Sequence, residues 1–317
     1  MKKIPQDILG NIAILKFPRK TLKIIKILKA RKFLKQHKNI TTVVEKTDKI
    51  KGELRTSKTK HLAGIKTKQA TYKENNATFK FNIDESYFSP RLSNERKIIA
   101  EEVSSLIPIP YSLFPTKMCN ILVMFAGIAP YPITIAKRLL KAKGQRLKAS
   151  FHIYSNELNK QANKEAQKNI TLNKLQKYIT LIPGDAKKLP SHLGAKRSGS
   201  GAVWERSGLG AERSDKFDII LMPRPNLKET FLKTALKLSK KGTTIFYHGF
   251  GTKQEVLNEI KKDTSEARQY QGKVKPQGTV SSLGKDTKGK IGKIKIRKAG
   301  DIGPYIYRWQ ANFKVKN

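Results

Sequence analysis

Hydrophobic positions along the chain keep one of two periods, and the switches between them mark the elements. Ile12-Ala13-Ile14-Leu15 is a short unbroken apolar run of the kind that forms a buried strand, and Pro18 stands where a helix starting near Arg19 accepts proline. The basic stretch Lys16–Lys38, with its interspersed leucines and isoleucines, reads as a packed helix, and Thr41–Val44 as a second strand. Residues 50–83 break into short β pieces, with turns at Gly52, Ala63-Gly64 and Asn75-Asn76. A helix is expected to open at Ser89-Pro90, with serine as N-cap and proline at the first helical position. Along it Leu92, Ile99, Val103 and Leu106 fall within about 60° at 100° per residue, a core stripe with Glu95 at its margin. Pro108 and Pro110 end that helix.

From there strand and helix alternate. Ile121–Phe125, Ser150–Tyr154, Ile179–Ile182, Asp218–Met222 and Thr243–His248 read as strands. Helices are expected up to Lys141, over Lys160–Asn169 and over Leu227–Leu238. Buried strands alternating with helices predict a parallel sheet covered on both faces. Tyr305, Tyr307, Trp309, Ala311 and Phe313 alternate with polar residues and predict a late antiparallel strand at the sheet edge. Two segments interrupt the rhythm and read as mobile insertions: 191–215, rich in Gly, Ser and Arg, and 263–290, polar with scattered glycines. The expected organisation is a basic α+β domain over residues 1–114 followed by an α/β domain over 115–317.

Charge changes the picture more than any other feature of composition. Lys and Arg number 66 against 24 Asp and Glu, a formal net charge of +42. A chain so basic gains by lying along a polyanion, where each neutralised phosphate releases counterions. The lone cysteine, Cys119, excludes an internal disulfide framework and a Cys-based zinc site, and the five histidines form no metal-binding pattern. No metal is therefore expected, and the compartment is read as reducing and cytoplasmic. The longest apolar stretch, Ile121–Ala136, is interrupted by Gly127, Pro130 and Pro132, so no membrane span is expected.

Candidate chemistry gathers at the carboxyl ends of successive strands. After the first comes Phe125-Ala126-Gly127-Ile128-Ala129-Pro130, a small-residue turn that lets backbone approach a ligand and leaves the next helix's N–H groups free. The second strand ends at Glu157, where doubly wound folds hydrogen-bond ribose hydroxyls, and the third is followed by Gly184-Asp185-Ala186. A lone turn glycine, or an Asp that caps a turn, is ordinary structure. The three features in order point to a nucleotide-like ligand.

These residues sit among longer matching stretches: Tyr87-Phe88-Ser89-Pro90-Arg91-Leu92-x-x-Glu95-Arg96, Met124-Phe125-Ala126-Gly127-Ile128-x-Pro130, Glu157-Leu158-Asn159, Asn169-Ile170-x-Leu172-Asn173, Gly184-Asp185-Ala186 and Thr243–Tyr247. On them the chain resembles the archaeal and eukaryotic tRNA guanine-N1 methyltransferases, which modify position 37, just 3′ of the anticodon. It is also similar to their sister wybutosine-pathway aminocarboxypropyltransferases. The resemblance covers residues 4–317 less the two insertions. It implies a Rossmann-type class I methyltransferase domain behind a small RNA-binding domain, S-adenosyl-L-methionine as cofactor, a tRNA anticodon loop as partner, and action as a monomer. Phe125, Gly127, Glu157, Asp185 and Arg91 are the implied cofactor residues, with Tyr87 and Asn226 on the substrate.

The chain departs from the family at Val123, where an Asp is usual, at Ala129, where a second Gly is usual, and at Pro223-Arg224-Pro225, where Asn-Leu-Pro or Asn-Pro-Pro is common. Full-length members also carry a small leading domain, and this chain is expected to begin after it. Guanine N1 must lose its proton as a methyl group arrives, and a partly buried carboxylate suits that task. The resemblance gives it to Glu95, and gives Arg55 the stabilisation of charge developing on O6. Two other outcomes stay open: aminocarboxypropyl transfer to a tricyclic guanine derivative in the same loop, and an RNA-binding homologue with impaired catalysis.

Overall fold

The computed structural model describes residues 4–47, 56–107, 118–142, 151–194, 216–271, 291–303 and 305–316. From the N-terminus come β1 (Gln6–Leu9), β2 (Ile12–Leu15), α1 (Lys23–Gln36), β3 (Thr42–Lys46), β4 (Thr59–Gly64), β5 (Gln69–Glu74), β6 (Ala77–Asn82) and α2 (Ser93–Leu106). There follow β7 (Cys119–Val123), α3 (Pro130–Ala142), β8 (Phe151–Glu157), α4 (Lys160–Leu172), β9 (Ile179–Pro183) and α5 (Leu189–Gly194). The chain ends with β10 (Phe217–Met222), α6 (Leu232–Lys237), β11 (Ser239–Gly251), α7 (Lys253–Gln271), β12 (Lys295–Gly303) and β13 (Ile306–Lys314). Two compact units result: Met1–Pro108 with Ala126–Leu147 and Glu157–Pro183, and Ile109–Phe125 with Lys148–Asn156 and Gly184–Asn317.

In the first unit, β1, β2, β3 and β4 form a sheet in that order, with β2 and β3 parallel and the other pairs antiparallel. The β1–β2 turn needs Gly10: its φ is +58°, and an added Cβ would lie 1.8 Å from the Thr71 carbonyl oxygen. Helix α1 crosses between β2 and β3 and closes a small core of Ala13, Leu15, Ala30, Val43 and Leu62, with Ile27, Phe33 and Leu34 packed against it. It starts at Lys23 rather than near Arg19, and only one of its faces is covered. Leu22, Ile24 and Leu28 are exposed, because apolar residues spread around this helix and one sheet cannot cover them all.

Strands β5 and β6 pair as a hairpin whose turn residues Asn75 and Asn76 both have positive φ, the backbone a two-residue type I′ turn requires. The outer edge of β6 is not left bare. Asn82 N–H donates to Glu165 Oε1 (2.6 Å), Lys80 N–H to Asn169 Oδ1 (2.8 Å) and Thr78 N–H to Asn173 Oδ1 (3.1 Å). Asn173 Nδ2 returns a bond to the Thr78 carbonyl (2.7 Å). The acceptors stand at every fourth residue along α4 and its C-cap Asn173, and the donors at every second residue of β6. Four helical residues rise about 6 Å and two strand residues about 6.6–6.8 Å, so the two ladders stay nearly in step. Helix α3 packs on α2, β6 and β9, and α4 on β6 and β9.

The expected helix at Ser89 opens in two stages. Pro90–Leu92 forms a 3-10 turn and the α-helix begins at Ser93; the Ser89 side chain makes no capping bond. Ile99 and Val103 of the predicted stripe are buried, but Leu106 is exposed at the helix end.

The second unit carries the sheet in the order β12-β13-β11-β10-β7-β8. Strands β8, β7, β10 and β11 run parallel, while β13 is antiparallel to β11 and β12 to β13. Four consecutive residues of β7, Asn120 to Val123, are buried, as a strand covered on both faces requires. The tail strand β13 is not the edge: β12 lies outside it. Helix α6 is shorter than expected, with residues 227–231 remaining in the loop after β10. Helix α7 takes in residues 263–271 of the expected second insertion; 272–290, and 195–215 of the first, lie outside the described residues.

The α4–β6 ladder carries a stability prediction. Asn169→Leu leaves the Lys80 N–H without its acceptor and should lower the unfolding free energy by about 1–3 kcal/mol, measured by urea denaturation. A change within a few tenths would show that the amide is dispensable.

Candidate functional site

The site in the first unit is built around Arg96. Its guanidinium meets Glu74 through two parallel hydrogen bonds, Nε to Oε1 and Nη2 to Oε2 (2.6 Å), and Nη2 also donates to the Ser89 carbonyl (3.0 Å). Both side chains are only 2% exposed, and a buried pair of charges persists when it is bidentate and its remaining protons find acceptors. The guanidinium lies 4.8 Å from the centre of the Phe88 ring, which packs against Tyr72, Phe79 and Phe81. The Tyr87–Arg91 turn is therefore fixed from both sides. Glu95 sits beside Arg96 in the first turn of α2, where the helix dipole favours a negative charge. It is 4% exposed, deeper than a position at the margin of the apolar stripe suggests.

The turn after β7 runs through left-handed backbone at Phe125 (φ +55°), Gly127 (+57°) and Ala129 (+66°). Such conformations cost a non-glycine residue about 1–3 kcal/mol, and they concentrate where backbone is shaped for a ligand. Ala129 adopts the conformation that glycine takes most readily. Gly127 N–H donates to Glu157 Oε2 (2.7 Å) and Asn159 N–H to Glu157 Oε1 (2.8 Å). Burial raises the Glu157 carboxyl above its ordinary value, and the N–H groups of Asn159, Gly127 and Leu158 only partly oppose the shift. Three N–H groups leave the fixed carboxylate with capacity for a further donor, which fits a ribose hydroxyl. An added Cβ on Gly127 would touch only the Tyr87 carbonyl oxygen, at 3.7 Å. Asn159, which no sequence feature assigned a role here, caps α4 and also donates to the Glu85 carbonyl (2.9 Å).

In the second unit the Phe125 and Phe231 rings meet nearly at right angles, centroids 4.9 Å apart, and Phe231 is also left-handed (φ +60°). These residues follow β7 and β10, adjacent strands whose onward connections lead to opposite sides of the sheet order, the usual place for a ligand crevice. Asp185 accepts from Lys187 N–H (2.9 Å) and so caps the short turn Ala186–Lys188, while the Asn156 amide donates to the Gly184 carbonyl (3.0 Å). Asn226 is exposed in the loop after β10.

That loop is held by Arg224. The buried guanidinium donates to Tyr247 Oη (2.9 Å), to the carbonyls of Leu227 (2.8 Å) and Glu229 (3.3 Å), and to Glu259 Oε1 (2.9 Å). The Tyr247 hydroxyl in turn donates to Glu259 Oε2 (2.6 Å). Pro223-Arg224-Pro225 is therefore a braced corner.

Of the residues expected from sequence, the first unit brings Gly127 and Glu157 into direct contact, with Tyr87 alongside Gly127. Arg91, expected on the cofactor, forms an ion pair with Asp7 (2.6 Å). Arg55 lies outside the described residues. Among the described residues no group of three or more His, Cys, Asp or Glu side chains is placed to hold a metal, and no helix is long and apolar enough to cross a membrane.

Residues 70–205 match the family model described as the TRM5/TYW2 methyltransferase domain, and residues 4–67 match the TYW2 N-terminal domain. The tRNA (guanine(37)-N(1))/4-demethylwyosine(37)-methyltransferase Taw22 of Nanoarchaeum equitans is 32% identical over 286 residues, covering 81% of this chain and 87% of that protein. The chain belongs to the TRM5/TYW2 family. Trm5b of Pyrococcus abyssi is 29% identical over 248 residues, 77% of this TRM5/TYW2 chain and 59% of its relative's length. The crystal structure of Trm5b from Pyrococcus abyssi shares the fold, with a TM-score of 0.66 at 24% identity, covering 99% of this chain and 75% of that one.

Glu157 generates a pH prediction. If its ionised form receives a ribose hydroxyl of the donor, acidification removes the acceptor, and its raised pKa makes the loss begin at a higher pH than for an ordinary glutamate. Calorimetric titration with S-adenosyl-L-methionine should show affinity falling in mildly acid buffer, and Glu157→Gln should bind weakly with a flat profile. A wild-type profile as flat as the variant's would remove Glu157 from the donor site.

Proposed function

We propose that this chain transfers a methyl group from S-adenosyl-L-methionine to N1 of guanine 37 in the anticodon loop of tRNA. The observation that carries the reading is the 32% identity with Taw22, whose name pairs guanine 37 with 4-demethylwyosine at the same position, over 87% of its length. On this reading Gly127, Glu157, Asp185 and Phe125 hold the donor, residues 1–114 grip the RNA, and residues 115–317 carry out transfer. The bound donor supplies a methyl group on a sulfonium. Glu95 accepts the N1 proton as the N1–carbon bond forms and the carbon–sulfur bond breaks; its burial supports this role, since a desolvated carboxylate is the stronger base. Arg55 meets the negative charge that develops on O6, and Tyr87 stacks on the extruded base. Asn226, on the loop braced by Arg224, contacts the same base. The Arg96–Glu74 pair anchors Ser89 and Phe88, and with them the turn that carries Tyr87 and the first turn of α2 that carries Glu95, so positioning supplies much of the remaining rate.

Aminocarboxypropyl transfer by the same donor is the second reading. It is favoured by the match of residues 4–67 to the TYW2 N-terminal domain and by Pro223 where the guanine methyltransferases commonly carry Asn.

N1 methylation blocks the pairing edge of guanine, so primer extension on treated tRNA should halt at position 37. Glu95→Gln should lower turnover by roughly tenfold or more while tRNA affinity stays the same. Unchanged turnover would remove Glu95 as the base, and an unhindered primer would remove N1 as the acceptor.

A further inference from the structure

The first unit contains a cavity of about 230 Å³ that the reading above leaves unused, with Asp7, Lys16, Lys46, Tyr87, Phe88 and Arg91 in its wall. The charges of its described lining residues do not balance. Asp7 holds two cations, Lys16 on Oδ2 (2.8 Å) and Arg91 on Oδ1 (2.6 Å). Burial acts to raise the Asp7 carboxyl, but the hydrogen bond and charge of Lys16 and the charge of Arg91 outweigh it and hold it below the usual range. Lys46 makes no ion pair among the described residues. Its neighbour Glu45 is committed to Lys26 on α1 (2.5 Å).

The backbone forces the two lysines together. β2 and β3 are parallel with Leu15 opposite Glu45, so Lys16 and Lys46 follow at the same level. Burial, then the charge of Lys16, lowers the Lys46 pKa, and Asp7 offsets this only in part. Among the described residues, three cations and one carboxylate around a recess make a site that an anion would relieve. Leu9, Ile14, Ile83, Tyr87 and Phe88 supply an apolar and aromatic part of the lining, and Ser57, Thr59, Ser86 and Ser89 a hydroxyl-bearing part. A cationic rim beside an aromatic wall is the pairing that receives a phosphate and a base together. The volume falls below the roughly 300–1,000 Å³ of pockets for drug-sized ligands, so it excludes a length of strand and encloses part of one nucleotide.

We propose that this cavity receives the nucleotide next to the one modified, with its phosphodiester on Lys46, Lys16 and Arg91 and its base against Phe88, while Tyr87 separates it from the modified base. The inference rests on the RNA-modification reading and adds the place where the flanking chain is gripped. Glu95, Gly127 and Glu157 do not line the cavity, so it is not where donor and acceptor meet. It adjoins that place through Tyr87, whose carbonyl faces Gly127. Arg91 accordingly serves the RNA and not the donor.

The test uses the full chain and an anticodon stem-loop without donor, so it is independent of turnover. Neutral methylphosphonates are placed at each linkage in turn and binding is followed by fluorescence anisotropy. Lys46→Ala should weaken binding about tenfold and reduce the log–log salt slope by about one unit, and Lys46→Arg should restore both. One linkage beside position 37 should be costly to neutralise in the wild type and cost nothing further in Lys46→Ala. If the wild type binds and Lys46→Ala matches it, or if every linkage keeps its cost in the variant, the cavity inference falls alone. A wild type that binds no stem-loop sinks the RNA reading as well.

Discussion

The first unit depends on the hydrogen-bonded register between helix α4 and the edge of strand β6. A strand edge carries an N–H every second residue, and left unpaired in a buried position each is costly. Glu165, Asn169 and Asn173 meet these groups because the helical repeat of four and the strand repeat of two nearly coincide in length. The contacts run in opposite senses: residue 82 meets 165, and 78 meets 173. The C-terminal end of β6 therefore lies at the N-terminal end of α4. Asn159 completes the tie by capping α4 while bonding the Glu85 carbonyl. Tyr87 and Glu157, distant in sequence, are thereby held on the same side of one rigid assembly.

The Arg96–Glu74 pair fixes the next stretch. With Ser89 and Phe88 anchored to its guanidinium, the Tyr87–Arg91 turn and the first turn of α2 have little freedom, and Glu95 is carried with them. In the second unit Arg224, Tyr247 and Glu259 do the corresponding work for the loop after β10. Both guanidinium groups are spent on positioning. In a chain with 66 basic residues, these two act through burial, and the surface ones through number.

Much of this was readable in the sequence. The apolar runs of β2, β7 and β10 and the core stripe of α2 predict their elements because burial dictates residue type there. Strand β12 escaped because Lys295–Gly303 is an edge strand with a polar, lysine-bearing surface, so burial leaves no pattern in it. Helix α7 extends past Asp263 through a polar stretch for the same reason. The turn at Gly127 and its partner Glu157 were legible as strand-end features, since a fold of this kind puts ligands there. Glu74 and Arg96 were not, because 22 residues separate them and neither has a local signature. Asn169 and Asn173 stood in a matching motif without a physical role until the edge of β6 supplied one.

The central proposal is that the assembly which brings Tyr87, Gly127 and Glu157 together, with Glu95 on the adjoining helix α2, delivers the donor's methyl group to a guanine in RNA. Two donor preparations test it directly, one labelled in the methyl carbon and one in the aminocarboxypropyl carbons, each incubated with unmodified tRNA before the nucleosides are separated. Label from the methyl carbon should appear in 1-methylguanosine and label from the other preparation should stay out of the RNA. Incorporation of the aminocarboxypropyl label, or of neither, would contradict the account.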